Sequence, residues 1–469
     1  MGFDLKIFND ASLEPSYVEW LVEQRWPQAA QYFGRLWDYY TNPLTETDRS
    51  SESSRGYMQA QETGLPLRIT GQPAREGGQI QRKEVVIEND IGWRINAMVD
   101  FLFGRPVSIK SKAAAAHRRR DIEGVLKAVF DGSGGTVFFQ ELGTLGSVYG
   151  FVDCIVRWGG QLAGRLADST SNRLLCVPPS SYDSVLRLAG DVSLELIDAA
   201  RALPVLEETD YKRIRYYVQH FVQWKNAAAG ESSFLGRLLG TGALGQRRCA
   251  AVTEILGPSA WQRYEDGILT AQGVHPLGRI PVVHIQNLPQ PGCYEGLSDV
   301  QQLCPLQDEL NTRLSDRASR ITMQAFKMYL AKGLDGIAER PIAPGRMWCT
   351  DNMDAAIEEF GGDGGNPSEN QHIQEVREAM DKVSGVTPVV AGVLKNKLGN
   401  LSSAVALKMT FMGMLSKTCR KQLTYGQGIS DICRLVLEVL DKAAVFPTRP
   451  AERQVEVVFS SPLDEQINR

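Results

Sequence analysis

The chain has 469 residues, 43% hydrophobic and 23% charged, with a formal net charge of −4 from 51 bases and 55 acids. That length holds two or three domains or one elongated multi-part subunit, with enough apolar residues for real cores. Balanced charge excludes a dedicated nucleic-acid or membrane surface set by net charge alone, and no apolar run approaches the ~18–20 residues of a membrane span.

The start MGFDLKIFND has no basic region followed by an apolar one, so no signal peptide is expected. Gly2 is a weak sign of lipidation, because the residues after it fit a myristoylation pattern poorly. The eight cysteines (154, 176, 249, 293, 304, 349, 419, 433) form no C-x-x-C pair and no zinc-finger spacing. They read as reduced, mostly buried thiols of a cytosolic product.

In chain order, residues 14–41 predict a helix broken or kinked at Pro27. Residues 42–80 are rich in Ser, Thr, Gly, Pro and charge and predict a flexible arm. A helix follows over 85–103, with Ile91, Ile95, Met98, Val99 and Leu102 at helical spacing and Gly104-Arg105-Pro106 ending it. PVSIK opens a strand, helices follow near 119–130 and 135–148, and GFVDCIVRW (150–158) alternates as a strand does. Between 151 and 290 the runs LLCVPP, IRYYVQHFVQW, CAAVTEIL and IPVVHIQ predict further strands, an α+β region. No repeat of 20–50 residues is present.

Beyond Gly296 long helical patterns dominate. Over 298–330, Val300, Leu303, Leu306 or Gln307, Leu310, Leu314, Ala318 and Ile321 make one apolar stripe, with Ser298-Asp299 as a capping signal. Such a helix would run roughly 50 Å. Residues 370–385 predict a second helix with Ile373, Val376, Met380 and Val383 in register. Residues 401–440 predict a third, kinked or broken near Gly413 or Gly426-Gln427-Gly428. Between the first two lies a compact insert in which PIAPGRMWCT and AAIEEF are candidate strands. The pattern is a stalk carrying a small knob. A stripe that narrow is completed by packing against copies of itself, so a ring-forming homo-oligomer is expected.

Charge is segregated along this half. Residues 310–334 hold five bases (Arg313, Arg317, Arg320, Lys327, Lys332) and one acid, Asp316. Residues 351–381 hold nine acids (Asp351, Asp354, Glu358, Glu359, Asp363, Glu369, Glu375, Glu378, Asp381) and one base, Arg377. Residues 382–430 hold seven bases (Lys382, Lys395, Lys397, Lys408, Lys417, Arg420, Lys421) and no acid. Two readings stand at this point. The bases form a solvated face or pair with the acids of 351–381, or GVLKNKLGNLSS (392–403) and its neighbours face phosphates. Lysine is a mobile point charge and suits a sliding polyanion better than bidentate arginine does.

No catalytic constellation emerges. GTGALG (240–245) has the glycine spacing of a dinucleotide loop, but a strand pattern follows it instead of a helix. The Gly392–Ser403 loop is not a Walker A motif. The histidines at 117, 220, 275, 284 and 372 are isolated, and there is no H-E-x-x-H and no G-x-S-x-G. The acids Asp351, Asp354, Glu358 and Glu359 could hold a cation but read as a solvated face. HRRR (117–120) reads as a solvated basic cluster, and the aromatics from Trp20 to Tyr40 as core or subunit interface. No enzyme, metal or cofactor is expected.

Three segments carry a family resemblance. YEGLSDVQQLCPLQDELNTRLSDRASRI (294–321), with Leu306, Asp308, Leu310 and Asn311 at its centre, resembles the stem-entry segment of the portal proteins of tailed bacteriophages, the head-to-tail connectors. GNLSSAVALKM (399–409) resembles the segment leaving their tunnel loop, and NDIGWRINAMVDFLFGRPVSIK (89–110) their N-terminal wing helix and the strand after it. The resemblance covers roughly 85–460 and is closest to the long-tailed, siphophage-like type.

The resemblance implies an N-terminal helix and arm (1–84), a wing (85–295), stem helix one (296–330), a clip (331–369), stem helix two (370–386), a tunnel loop (387–401), a long kinked helix (402–446) and a last wing strand (447–469). The family's helical crown has no counterpart before Arg469, so a short or missing crown is expected. Twelve subunits would form a ring at one capsid vertex, the passage for DNA packaging and ejection. Lys395, Asn396, Lys397 and Asn400 would line the channel. Arg313, Arg317 and Arg320 would form a basic stem face, and Asp351, Asp354, Glu358 and Glu359 an acidic clip face for partners. Those partners would be double-stranded DNA, the terminase large subunit, a head-tail connector protein, the major capsid protein and a possible scaffolding protein, with no membrane. The protein would reside in the virion, and in the host cytoplasm during assembly. The contrasting reading is a non-catalytic cytosolic adaptor whose basic segment binds an acidic protein.

Overall fold

The computed structural model describes residues 2–8, 13–42, 86–171, 178–226, 247–325, 328–332, 354, 356–360, 367–391 and 411–460. In chain order the first half contains α1 (Pro15–Trp20), α2 (Trp26–Thr41), α3 (Asp90–Phe103), β1 (Ser108–Ser111), α4 (Ala116–Gly132), α5 (Thr136–Tyr149), β2 (Phe151–Trp158), α6 (Gly160–Ser171), α7 (Tyr182–Ala189), β3 (Val192–Ile197), β4 (Ala202–Glu207) and β5 (Asp210–Asn226). The second half contains β6 (Arg247–Leu256), β7 (Ala260–Glu265), β8 (Ile268–Val274), β9 (Val282–Gln286), α8 (Cys304–Ala325), β10 (Met328–Lys332), β11 (Ala356–Phe360), α9 (Pro367–Ser384), α10 (Met412–Lys442) and β12 (Val455–Val458). The chain is mixed α and β. It divides into a larger unit (1–41, 91–302, 385–469) and a smaller one (42–90, 303–384).

The larger unit is built on the antiparallel three-stranded sheet β3-β2-β9. Strand β2 is central, with Asp153 opposite Ile197 on one side and His284 on the other. Its first six residues are all buried, because both faces are covered. Val152, Cys154 and Val156 join one cluster with Leu126 of α4, Leu142 of α5 and Ile432 of α10. On the other face the Tyr217 hydroxyl donates to Asp153 Oδ2 at 2.9 Å. Helix α4 forms because Ile122, Val125, Leu126 and Val129 recur at helical spacing, and all four are buried. Gly150 ends α5 at φ 92°, and a Cβ there would collide with the carbonyl of Gly296, so glycine is required twice over. The C-terminal strand β12 pairs antiparallel with β1.

The five-stranded antiparallel sheet β4-β5-β6-β7-β8 carries a second core. Residues at the N-terminus cover one of its faces: Phe3, Phe8, Val18 and Leu21 pack with Leu203, Val218, Ile255 and Tyr264. The ring of Phe3 meets Tyr264 edge-on at 4.8 Å, and the Asp4 carbonyl accepts from Gln262 Nε2 at 2.8 Å. Between α1 and α2 the helix widens to a π turn at Leu21–Arg25. This sits where Pro27 cannot supply an N–H, so the expected kink takes the form of a π turn.

The smaller unit pairs α8 with α9 and carries the two-stranded sheet β10-β11. Several expectations are corrected here. The first long helix spans 304–325, about 33 Å, instead of 298–330. Pro305 explains the late start, since a helix beginning at 298 would need its N–H and clear space at residue 301. Ser298 caps a preceding turn, accepting from Val300 and Gln301 at 3.1 and 3.2 Å. At the other end Met328–Lys332 is a strand that pairs with Ala356–Phe360, so AAIEEF is a strand but its partner comes from the expected stem helix. Gln307, at 2% exposure, lies inside the stripe, whereas Ile321 is 58% exposed and Val383 41% exposed, both outside the core.

Helix α10 runs unbroken through Gly426 and Gly428. A Cβ at Gly428 would overlap Ile285 of β9, so this glycine serves close approach and makes no break. Strands β3, β4, β7 and β8 and helices α6 and α7 were not expected. PIAPGRMWCT, GTGALG and most of LLCVPP lie outside the described residues.

Candidate functional site

Lys395, Asn396, Lys397 and Asn400 lie outside the described residues, but both flanks of their segment are described. Before it, Gly385 turns the chain at φ 72°, and Arg94 Nη1 of α3 donates to the Val386 carbonyl at 2.5 Å. After it, α10 begins at Met412. Val386 and Met414 are both buried against Met98 of α3, with Trp93 and Phe101 beside them. The rings of Phe101 and Phe411 lie 5.9 Å apart, and Thr418 Oγ1 is 3.5 Å from Met98 Sδ. One helix thus holds both ends. The two flanks of 392–410 thus meet at α3, and the sequence between them contains Lys395, Lys397 and Lys408 and no acid.

Two of the seven bases in the acid-free stretch are turned inward. Lys417 and Lys421 occupy one face of α10, a turn apart. Lys417 Nζ lies 2.7 Å from Asp299 Oδ1 and Lys421 Nζ 2.5 Å from Asp299 Oδ2. Lys421 is fully buried and also donates to Ser147 Oγ at 2.8 Å. Asn287 Nδ2 donates to Asp299 Oδ2 at 3.0 Å, and the Tyr425 hydroxyl donates to Asn287 Oδ1 at 3.0 Å. Burial alone would raise the Asp299 carboxyl, but the two ammonium groups more than reverse this and hold it well below the usual carboxylate range. Burial pulls the Lys421 ammonium down, and Asp299 offsets part of that. The ammonium groups of both lysines are thus engaged by Asp299, within the larger unit. Asp299, read from sequence as part of a helix cap, is their counter-ion. The available signal was Lys417 and Lys421 falling on the stripe of Met414, Thr418, Tyr425 and Ile429.

In the smaller unit the basic stripe of α8 is engaged by neighbours. Arg313 Nε lies 2.8 Å from Glu309 Oε1 and its Nη1 3.2 Å from Asp316 Oδ2. His372 Nε2 of α9 also reaches Glu309 Oε1, at 3.0 Å. Arg320 pairs with Glu369, and Arg317 Nη1 donates to Asn370 Oδ1 at 3.3 Å. Burial raises the Glu309 carboxyl, and the hydrogen bonds from Arg313 and His372 bring it below its usual value. The buried polar stripe of α8 seats residues 86–88: Asn311 Oδ1 accepts from Glu88 N at 3.0 Å and Ser315 Oγ from Val86 N at 2.9 Å. Arg377 closes this at 2.6 Å from Glu88 Oε2.

Of the acidic set, Asp351 lies outside the described residues and Asp354 is exposed. Glu358 and Glu359 are consecutive on β11, in register with Leu330 and Tyr329 of β10. Arg118 of the HRRR run is drawn into the fold, with its guanidinium 4.3 Å from the centre of the Phe446 ring and 3.4 Å from Glu452. Among the described residues no three His, Cys, Asp or Glu side chains converge as a metal site, and no helix is long and apolar enough to cross a membrane.

The frame is thus a long helix packed on an antiparallel sheet, with a two-helix unit inserted ahead of it in the sequence. Residues 94–465 match the phage portal protein family, SPP1 Gp6-like, and the chain belongs to that family. No curated protein sequence matches it. Among solved structures it is similar to a chain in the neck of an empty GTA particle computed with C6 symmetry, at 12% identity and TM-score 0.43, over 80% of this chain and 81% of that one. It is also similar to chains in the virion of a native gene transfer agent (GTA) particle and in the neck of the native particle computed with C12 symmetry. Each has 12% identity, TM-score 0.39 and the same coverage.

Proposed function

We propose that this chain is the subunit of a portal ring of twelve copies at one capsid vertex, through which DNA is packaged and later ejected. Family membership over 94–465 carries this reading. Supporting it, the described flanks of the acid-free segment 392–410 are both held on α3, which favours reading 387–401, with Lys395 and Lys397, as each copy's tunnel loop. Repeated around a ring, such loops present many mobile cations to a phosphate backbone and need read no sequence.

The α8–α9 pair is the stem and β10–β11 part of the clip, which docks the terminase large subunit and then a head-tail connector protein. The major capsid protein meets the ring from outside, and a scaffolding protein assists assembly. The ring catalyses nothing. Because Arg313, Arg317 and Arg320 have partners within the subunit, the stem contributes less free positive charge than its sequence suggests.

The test is Lys395→Ala combined with Lys397→Ala. Assembly should persist while retained DNA per particle falls. Loss of assembly with DNA retention unchanged contradicts the assignment of the loop.

A further inference from the structure

Between β2 and α6 on one side and strands β6 to β8 on the other lies a cavity of about 550 Å³ in the larger unit. Trp158, Trp261, Leu256 and Val156 supply apolar wall. One polar side chain is out of place there. His275 is only 3% exposed, it lines the cavity, and neither ring nitrogen makes a well-formed hydrogen bond. Its ring stands edge-on to Trp158, with centroids 5.5 Å apart, and the Gly257 backbone is near enough for a weak, poorly aligned interaction. A buried, unsatisfied imidazole is unfavourable unless something fills its valence.

The charges lining the cavity are already matched. Arg157 forms a two-pronged pair with Glu254 at 2.8 and 2.6 Å and a further pair with Glu195. Arg263 lies 3.6 Å from Glu265. An anion finds no spare cation, and a cation finds no spare carboxylate. A mostly apolar pocket of this size with one convergent polar group is a ligand site in form.

We propose that this cavity binds a neutral, flat aromatic ligand bearing a hydroxyl that hydrogen-bonds His275, with the ring set against Trp158 and Trp261. Burial keeps His275 neutral at ordinary pH, so it offers one donor and one acceptor, the complement of a phenol. The same chemistry is available from a free small molecule or from a tyrosine of another protein.

The test is calorimetric titration of the intact protein with p-cresol, toluene and N-acetyltyrosinamide. p-Cresol should bind about fivefold more tightly than toluene, the effect of one hydrogen bond. His275→Phe should abolish that preference, and Ala167→Trp, a substitution at an exposed α6 position lining the cavity, should weaken both ligands. Binding of N-acetyltyrosinamide alongside p-cresol assigns the site to a polypeptide tyrosine, and its exclusion assigns it to a free small molecule. No binding at millimolar concentration, equal binding of p-cresol and toluene, or insensitivity to Ala167→Trp overturns the proposal. None of these outcomes depends on ring assembly or on DNA.

Discussion

Asp299 is the residue on which the larger unit's polar interior turns. It is the sole carboxylate among the partners described for Lys417 and Lys421, and it sits in the turn just ahead of α8. Removing one member of a buried charge group leaves the rest uncompensated. Asp299→Ala should therefore destabilise the protein by about 3–5 kcal/mol, read as a lower midpoint in urea. Lys421→Met, which keeps the Asp299–Lys417 pair and fills the space, should destabilise less.

His220 makes a second prediction at this scale. Burial lowers its pKa to about 4, with Trp26 edge-on at 4.6 Å and Thr253 Oγ1 at 2.8 Å. The unfolded chain binds this proton near pH 6.5 and the folded one only near pH 4, so between those values the unfolded state holds more protons and acid favours unfolding. Stability should fall as pH drops from about 6.5 towards 4. His220→Asn should flatten that part of a curve of thermal midpoint against pH. An unchanged slope would show that His220 does not titrate this way.

Elements with an uninterrupted apolar period were legible in the sequence. Helices α3, α4 and α5 are examples, because Ile95, Leu126 and Leu142 each recur with partners three or four residues away. Short exposed strands were not. Along β8 every residue is at least partly exposed, so no alternation marks it, and only its partner β7 defines it. β2, in contrast, was legible at 150–158, although its first six residues are all buried because both faces are covered. Glycine was misread where tertiary packing set its role. Gly428→Ala should destabilise by about 1–3 kcal/mol through overlap with Ile285. Gly426→Ala, whose Cβ would lie 3.4 Å from Phe459, should be neutral or stabilising by about 1 kcal/mol from helix propensity. Paired denaturation curves separate the two. If both glycines tolerate alanine equally, the close-approach account of Gly428 fails.

At the scale of the whole molecule, the family was legible because three segments stand in the right order. The candidate site was legible only in part. Local pattern singled out the lysine-rich segment and the arginines of α8 as candidates. It could not reveal that Asp299 reaches Lys421 across 122 positions, or that the N-terminal segment covers a face of the five-stranded sheet. Such contacts are set by long-range packing, which leaves no periodic trace. The central claim concerns assembly, since a lysine loop in one subunit becomes a channel only when copies close into a ring. The direct measurement is the native mass of the purified protein together with two-dimensional class averages of particles from infected cells. The account predicts a ring near twelve subunits with an axial hole. Monomers or dimers at high protein concentration, with no ring in the cells, would contradict it.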